Sequence, residues 1–538
     1  MLEKLFSTVS VLILVYMAWA WGGLHQDWLV PAASGSGVLL IGLLITQIRG
    51  GIEVKHNGYY WWQDGFFYAG LFFLIYLSVQ WWNSGRVLFF DVGLDQWRYS
   101  QPRHPGWPSA FSRPEAAQML SWFFPAWVFG LLLRSPLLGT RTVLRMLRSL
   151  VYGAGLLALL GIIQFVTGTK ARYWVRPATD QFFASFGYTN HAAAFFVLMG
   201  AVAAGLLYRE VFRERPVEHN TATSSGGSDS TSGQAKGRSL KASSRSSPTA
   251  RQLIVRTTAL AASLLFCLIG ANLSLSRAGI ILAWSMALFI AGYGLVRGWQ
   301  RLHRVARVNL VAATFAILCV LYFAVSGFGE KAIVQEFKVR RPIHHVLFPV
   351  LDNINLALSD RPLLDRVAWE IWCDNPVFGV GGWGFRYLLS QHLPEAEWKS
   401  HVEGFGNANV HCDPLQFLAE FGVVGTGLMM AALLALLLPV LRKGIRKEAR
   451  SISAQDPEWE VKGRGQIAAD WSNPVLVMCS IGLMLVCVFS LIDLPFRCPA
   501  ILCTWVVILA ALPRFGAPTD SRQRSGAPIL GYDKLTQT

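Results

Sequence analysis

Apolar residues gather along this chain in runs of about 20, the length at which a helix crosses a bilayer. They fall near 5–24, 28–48, 65–82, 118–133, 149–167, 188–208, 253–272, 278–297, 307–326, 414–441, 474–493 and 498–513. The pattern predicts an all-α polytopic membrane protein with about twelve transmembrane helices. The first run is too long and Trp-rich for a cleaved leader and lacks a small-residue cleavage site, so it reads as a retained anchor. Trp61, Trp62, Trp81 and Trp82 sit at run ends, where amphipathic rings favour the headgroup layer.

Polar stretches divide the runs. The segment 213–252 contains T-A-T-S-S-G-G-S-D-S-T-S-G and has too little apolar surface to offset chain entropy, which predicts a disordered basic linker. A second, from about Gly327 to Cys412, predicts one large loop before helix 10. The expected organisation is therefore helices 1–6 over 1–212, the linker 213–252 and helices 7–9 over 253–326. The loop 327–412, helices 10–12 over 413–513 and a tail over 514–538 complete it.

Charge orients this layout. Arg134, Arg141, Arg145 and Arg148 lie on the same side as Arg297, Arg301, Arg304 and Arg307, and as Arg442, Lys443, Arg446, Lys447 and Arg450. Short basic loops mark the cytoplasmic face. Both termini are then cytoplasmic and the 327–412 loop faces outward. The net charge of +16 is thus read as basic inner loops rather than a nucleic-acid surface. With 15% charged residues against about 25% in a soluble protein, the chain has little aqueous surface outside these loops. Its eight Cys form no C-x-x-C pair. Five lie in apolar runs, while Cys373, Cys412 and Cys498 fall near the outer face with no readable pairing.

Candidate chemistry concentrates around that loop. Gly379-Val-Gly-Gly-Trp-Gly384 has the letters of a dinucleotide fingerprint but follows no strand, so tight close-packed backbone is the simpler reading. There is no P-loop, nor a D-x-D pair in an outward loop to hold a nucleotide-sugar metal. Arg277 in S-L-S-R-A-G opens a helix with Ser274 or Ser276 as N-cap. A cation there opposes the helix dipole, so it calls for an anion such as phosphate, with headgroup snorkelling the alternative. Arg366 lies in a short amphipathic helix, about Pro362 to Cys373, with Leu363, Val367 and Ile371 on one face. Glu370 at i+4 is its bland partner. Lys170, Arg172 and Arg176, and K-V-R-R at 338–341, are further cations able to extend an anion-binding surface.

His411 precedes Asp413-Pro414, a helix opening with Asp as N-cap and Pro at N1. The positive end of a helix disfavours a second positive charge, and a neutral imidazole is what a general base requires. Glu420 lies two turns on, about 10 Å along the axis, as an intramembrane carboxylate that serves either chemistry or a buried pair with Arg. His344, His345, His392, His401 and His411 match no metal-site spacing, so no metal is expected.

Four motifs, F-G-Y-T-N-H-A-A-A at 186–194, S-L-S-R-A-G at 274–279, R-V-A-W with N-P-V-F-G-V-G at 366–381, and H-C-D-P-L-Q-F-L-A-E-F-G-V-V-G from His411, fall in order on a twelve-span layout. In this the chain resembles the O-antigen ligase and O-antigen polymerase family of bacterial envelope proteins, over about 186 to 430. The first 180 residues are similar only in being helical and apolar. The resemblance implies a metal-independent glycosyltransferase of the GT-C type without a cofactor, in the bacterial inner membrane. It would move a glycan from undecaprenyl pyrophosphate to a hydroxyl on a lipid or glycan acceptor, with no nucleic acid involved. By motif position Arg277 and Arg366 would hold the pyrophosphate and His411 would activate the acceptor. Asp413, Glu420, Arg172 and Asn190 would support them. Family members often carry Asn after this His, whereas Cys412 stands here. The rival reading is a multi-helix transporter for a bicarbonate-like anion, which would need ionisable groups near the midplane and paired inverted repeats; no clear repeat is visible.

Overall fold

The computed structural model describes residues 2–23, 26–49, 63–93, 95–177, 182–212, 250–301, 361–392, 409–453 and 473–515, with scattered positions between 311 and 323. The linker expected over 213–252, the run at 307–326, K-V-R-R at 338–341 and His344, His345 and His401 lie wholly or mainly outside the described residues. So do Trp61, Trp62 and most of the 514–538 tail.

The architecture is all-α. Its helices are α1 (Leu2–Trp19), α2 (Gln26–Arg49), α3 (Gly65–Trp82), α4 (Arg113–Arg134), α5 (Thr140–Val166), α6 (Thr189–Val211), α7 (Ala250–Leu273) and α8 (Arg277–Arg301). They continue with α9 (Arg361–Asp374), α10 (Phe385–His392), α11 (Asp413–Ser453), α12 (Pro474–Ser490) and α13 (Pro499–Ala511). Among the described residues, nine helices are long and apolar enough to cross a membrane, and α12 and α13 are shorter apolar helices. This is a multi-pass membrane protein. Among the described residues strand is confined to two small antiparallel hairpins, β1 (Leu88–Asp91) with β2 (Gln96–Tyr99) and β3 (Ala171–Arg172) with β4 (Arg176–Pro177).

Helix α6 is the hub, buried on nearly every side and packed by α5, α7, α8 and α12. Its composition explains the position: A-A-A, G-A-V-A-A-G and few large side chains let neighbours approach to backbone distance. A Cβ on Gly205 would stand 3.0 Å from Val475 Cα, and one on Gly482 2.7 Å from Ala201 Cβ. A second bundle joins α3, α4, α11 and α13. Asp64, which caps α3 through the Phe66 N–H, also pairs with Arg134 at the far end of α4. One buried carboxylate therefore ties both helix ends.

The run read as an uninterrupted span over 414–441 is broken. Gly422 sits at φ 60°, ψ −169° inside α11, a conformation open essentially to glycine alone. The break frees backbone groups that cannot be left bare in a membrane. The N-P-V-F-G-V-G-G segment supplies their partners. Val380 N–H donates to the Ala419 carbonyl (3.1 Å) and Gly381 N–H to that of Glu420 (2.7 Å). In return Val423 N–H donates to the Pro376 carbonyl (2.9 Å) and Val424 N–H to that of Val377 (3.1 Å). Tyr76 on α3 donates its hydroxyl to the Phe378 and Phe421 carbonyls at 2.6 and 2.9 Å. The glycines of this segment thus serve close backbone packing, as the sequence reading preferred over a nucleotide loop.

Candidate active site

The site is assembled at two turns. The first, Asn409–Cys412, leads into α11. Gln416 N–H bonds the Cys412 carbonyl (2.9 Å), so the helix opens at Cys412 and Asp413 lies within its first turn. That corrects the expected N-cap. Asp413 instead turns its Oδ2 to accept from Phe496 N–H at 2.9 Å. Just ahead of it, His411 holds a left-handed backbone, φ 60°.

The second turn, Leu491–Leu494 after α12, runs into a 3₁₀ turn at Pro495–Arg497. It places Asp493, 1% exposed, opposite His411: Oδ1 stands 3.7 Å from His411 Nδ1. That is ion-pair range but long for a hydrogen bond. Asp493 also accepts from Leu494 N–H (2.7 Å), from the Tyr188 hydroxyl (3.1 Å) and from the Asn190 amide. His411 keeps about a third of its side chain exposed while Nδ1 faces inward. A buried carboxylate behind one ring nitrogen of a half-exposed imidazole is the arrangement that orients a general base.

Asn190 is therefore brought to the site, through Asp493. Its neighbour His191 is buried and meets the Leu494 carbonyl at 3.0 Å. Glu420 is fully buried and paired with Arg497, which is 2% exposed. The Arg497 guanidinium also lies 4.8 Å from the Trp383 ring and 5.5 Å from that of Phe417. Of the two roles open to Glu420 in the sequence, the buried pair is the one observed. Asp493 and Arg497 were both missed by sequence reading. The signal was L-I-D-L-P-F-R, an acid and a base four apart at the seam between two apolar runs.

Arg277 begins α8 and is half-buried; Ser276 is the cap, its Oγ accepting from Gly279 N–H at 3.0 Å. Gly279 lies directly against Ala193 in the first turns of α6, two residues beyond His191. Arg277 thus starts a helix packed on the element that carries Asn190. Arg366 is exposed on α9, 3.8 Å from Glu370, while Val367, Ala368 and Ile371 face the core. Arg172 is buried, its guanidinium 4.3 Å from the Trp21 ring and beside Gly187. Burial pulls its pKa below the usual arginine range, opposed by Tyr173. His392 contacts Asp374 at 3.2 Å. Among the described residues no three His, Cys, Asp or Glu side chains converge as a metal site, and none of the eight cysteines forms a disulfide.

Below the His411 turn an apolar cavity of about 300 Å³ opens between α3, α4, α11, α12 and α13. Phe73, Phe417, Met429, Leu433 and Trp505 line it, and Asp413 and Phe496 stand at its wall.

Fold and site together define a multi-pass membrane protein with a histidine–carboxylate pair held between two interhelical turns. Residues 262–430 match the family model described as O-antigen ligase. The match covers Arg277, Arg366, His411 and Glu420, and ends before Asp493 and Arg497. No curated protein matches the chain closely.

Proposed function

We propose that this protein is a membrane glycosyltransferase of surface-polysaccharide biosynthesis, transferring a glycan from undecaprenyl pyrophosphate to an acceptor hydroxyl at the outer face of the bacterial inner membrane. The O-antigen ligase match over 262–430 supports the class. The observation that carries the chemistry is the His411–Asp493 pair. With Nδ1 turned to the carboxylate, Nε2 is the nitrogen left for the acceptor.

In this reading the acceptor oxygen attacks the anomeric carbon and passes its proton to His411. The bond from that carbon to the pyrophosphate oxygen breaks, and its electron pair leaves with the lipid pyrophosphate. Asp493 steadies the imidazolium that forms. Arg277, beside the amides of a capped helix start, and Arg366 offset the charge on the leaving group. Two guanidiniums and a helix end supply that stabilisation without a divalent ion. The apolar cavity beside Asp413 and Phe496 suits the hydrocarbon of a lipid donor. The acceptor, a lipid core for a ligase or a second glycan for a polymerase, is set by what docks above the turn.

The test is transfer in proteoliposomes using lipid-linked glycan extracted from producing cells. Product formation by the wild type, lost in His411→Ala with donor still bound, is expected. Ion-gradient-dependent anion uptake without glycan transfer would overturn the reading in favour of a transporter.

A further inference from the structure

The two halves of the His411–Asp493 pair come from turns 82 positions apart in sequence (493 − 411), and nothing in either turn alone fixes their separation. A buried polar relay joins them. Gln416 folds back on the first turn: its Oε1 accepts from Val410 N–H (3.0 Å) and its amide nitrogen donates to Asn409 Oδ1 (3.1 Å). The same nitrogen donates to Glu420 Oε1 at 2.9 Å. Glu420 Oε2 pairs with Arg497, and Arg497 belongs to the 3₁₀ turn that begins two residues after Asp493. One carboxylate thus has an oxygen on each side of the site.

The pair is a poor stabilising device taken alone. Glu420 and Arg497 are 0% and 2% exposed, and both charges lose their hydration. Arg497 recovers only part of it, since its Nε and Nη1 are buried without hydrogen-bond partners. Buried ion pairs of this kind are best attested as devices that fix the register of two segments. Here the segments are those that hold His411 and Asp493. We infer that Gln416, Glu420 and Arg497 are positioning residues that set the His411–Asp493 separation, and through it the turnover step. The inference rests on the reading of His411 as the base.

The experiment uses the full-length protein in proteoliposomes with extracted lipid-linked glycan, and reads two quantities. One is the kcat and donor KM of transfer. The other needs no substrate: the rate of His411 carbethoxylation by diethylpyrocarbonate against pH, followed by mass spectrometry. His411 faces Asp493 and, more distantly, His191. Loss of the facing carboxylate makes the charged imidazole less favourable, so Asp493→Asn should move that midpoint down. The double variant Glu420→Leu with Arg497→Met removes both buried charges at once. It should stay folded, lower kcat by about 10²-fold with donor KM unchanged, and shift the midpoint as Asp493→Asn does. Gln416→Met leaves both charges of the ion pair in place and removes only the Gln416 bonds to Val410, Asn409 and Glu420. It should shift both readouts the same way, and it decides the matter if the double variant does not fold.

A folded double variant, or Gln416→Met, with wild-type kcat and an unmoved midpoint overturns the relay while His411→Ala remains inactive. Activity in His411→Ala would instead overturn the base assignment, and with it the functional reading on which the relay rests.

Discussion

Gly379 and Gly422 close on each other across the break in α11. A Cβ on Gly422 would stand 2.5 Å from Gly379 N, and one on Gly379 2.6 Å from Gly422 N. Both hold positive φ, 62° and 60°. The contact joins the segment that follows the Arg366 helix to the helix that follows His411.

Gly422→Ala should therefore be destabilising beyond the reach of local adjustment. The backbone conformation alone costs about 1–3 kcal/mol for a residue with a side chain, and the clash adds to it. Thermal unfolding in detergent should show a lower midpoint, and Gly379→Ala should do the same. Gly427, which has open space where its Cβ would point, serves as the control and should tolerate Ala. Equal behaviour of Gly422→Ala and Gly427→Ala would show that the break is not needed.

Tyr76→Phe tests the same junction from α3. It removes one hydroxyl that serves the Phe378 and Phe421 carbonyls and receives the Gln80 amide. Leaving buried groups unpartnered costs about 1–3 kcal/mol. The midpoint should fall, while Tyr68→Phe at an exposed ring on the same helix should not move it.

Much of this arrangement was legible from the chain. Hydropathy alone marked the long apolar helices seen among the described residues, because a helix in lipid must satisfy its own backbone and so announces itself as a long apolar run. It could not reveal the break at Gly422, since E-F-G-V-V-G is as apolar as an unbroken helix. Nor could it find the partner of the break, 40 residues upstream, because backbone pairing leaves no side-chain pattern. Asn190 entered only through the family resemblance of its motif, whereas Arg277 and His411 stood out as polar residues at helix starts. Asp493 and Arg497 did not, because each sits at a seam where any charged residue passes for a loop. Glu420 was visible as an intramembrane acid, but its partner was 77 positions away and identifiable only in three dimensions.

Arg366 gives a discriminating test, because it faces solvent beside Glu370. An exposed i,i+4 pair contributes about 0.3–0.5 kcal/mol. Glu370→Ala should thus leave stability nearly unchanged and free the guanidinium, with donor KM unchanged or lower. Arg366→Ala should raise donor KM in the transfer assay. If both variants behave as wild type, Arg366 is only a solvated charge.

Arg277→Lys keeps the charge at the start of α8 but loses the planar two-pronged contact with phosphate oxygens. Ser276 still caps the helix, so membrane insertion should be normal. Transfer should drop at least about tenfold, the effect of losing roughly 1.4 kcal/mol of leaving-group stabilisation. Wild-type activity in this variant would reduce Arg277 to an anchor.

His411 carries the sharpest prediction. The arginines and the helix start hold the donor in this reading, so His411→Ala should bind lipid-pyrophosphate glycan nearly as well as the wild type. Its turnover should fall by about 10²–10⁴-fold, the usual worth of a positioned general base. Asp493→Asn keeps the shape of the pocket but removes the charge that faces Nδ1, and should fall between that variant and the wild type. Cys412→Ala should be mild, because the thiol has no part in the proton transfer. The order His411→Ala below Asp493→Asn below Cys412→Ala is what the geometry requires. A base must be unprotonated to act, so the wild-type rate should decline on acidification when acceptor is saturating. The small residual rate of His411→Ala should lose that acid-side decline. If His411→Ala turns over at the wild-type rate with an unchanged pH profile, the proton is taken elsewhere. Asp413, whose Oδ1 is buried without a hydrogen-bond partner at the edge of the cavity, is then the next group to remove.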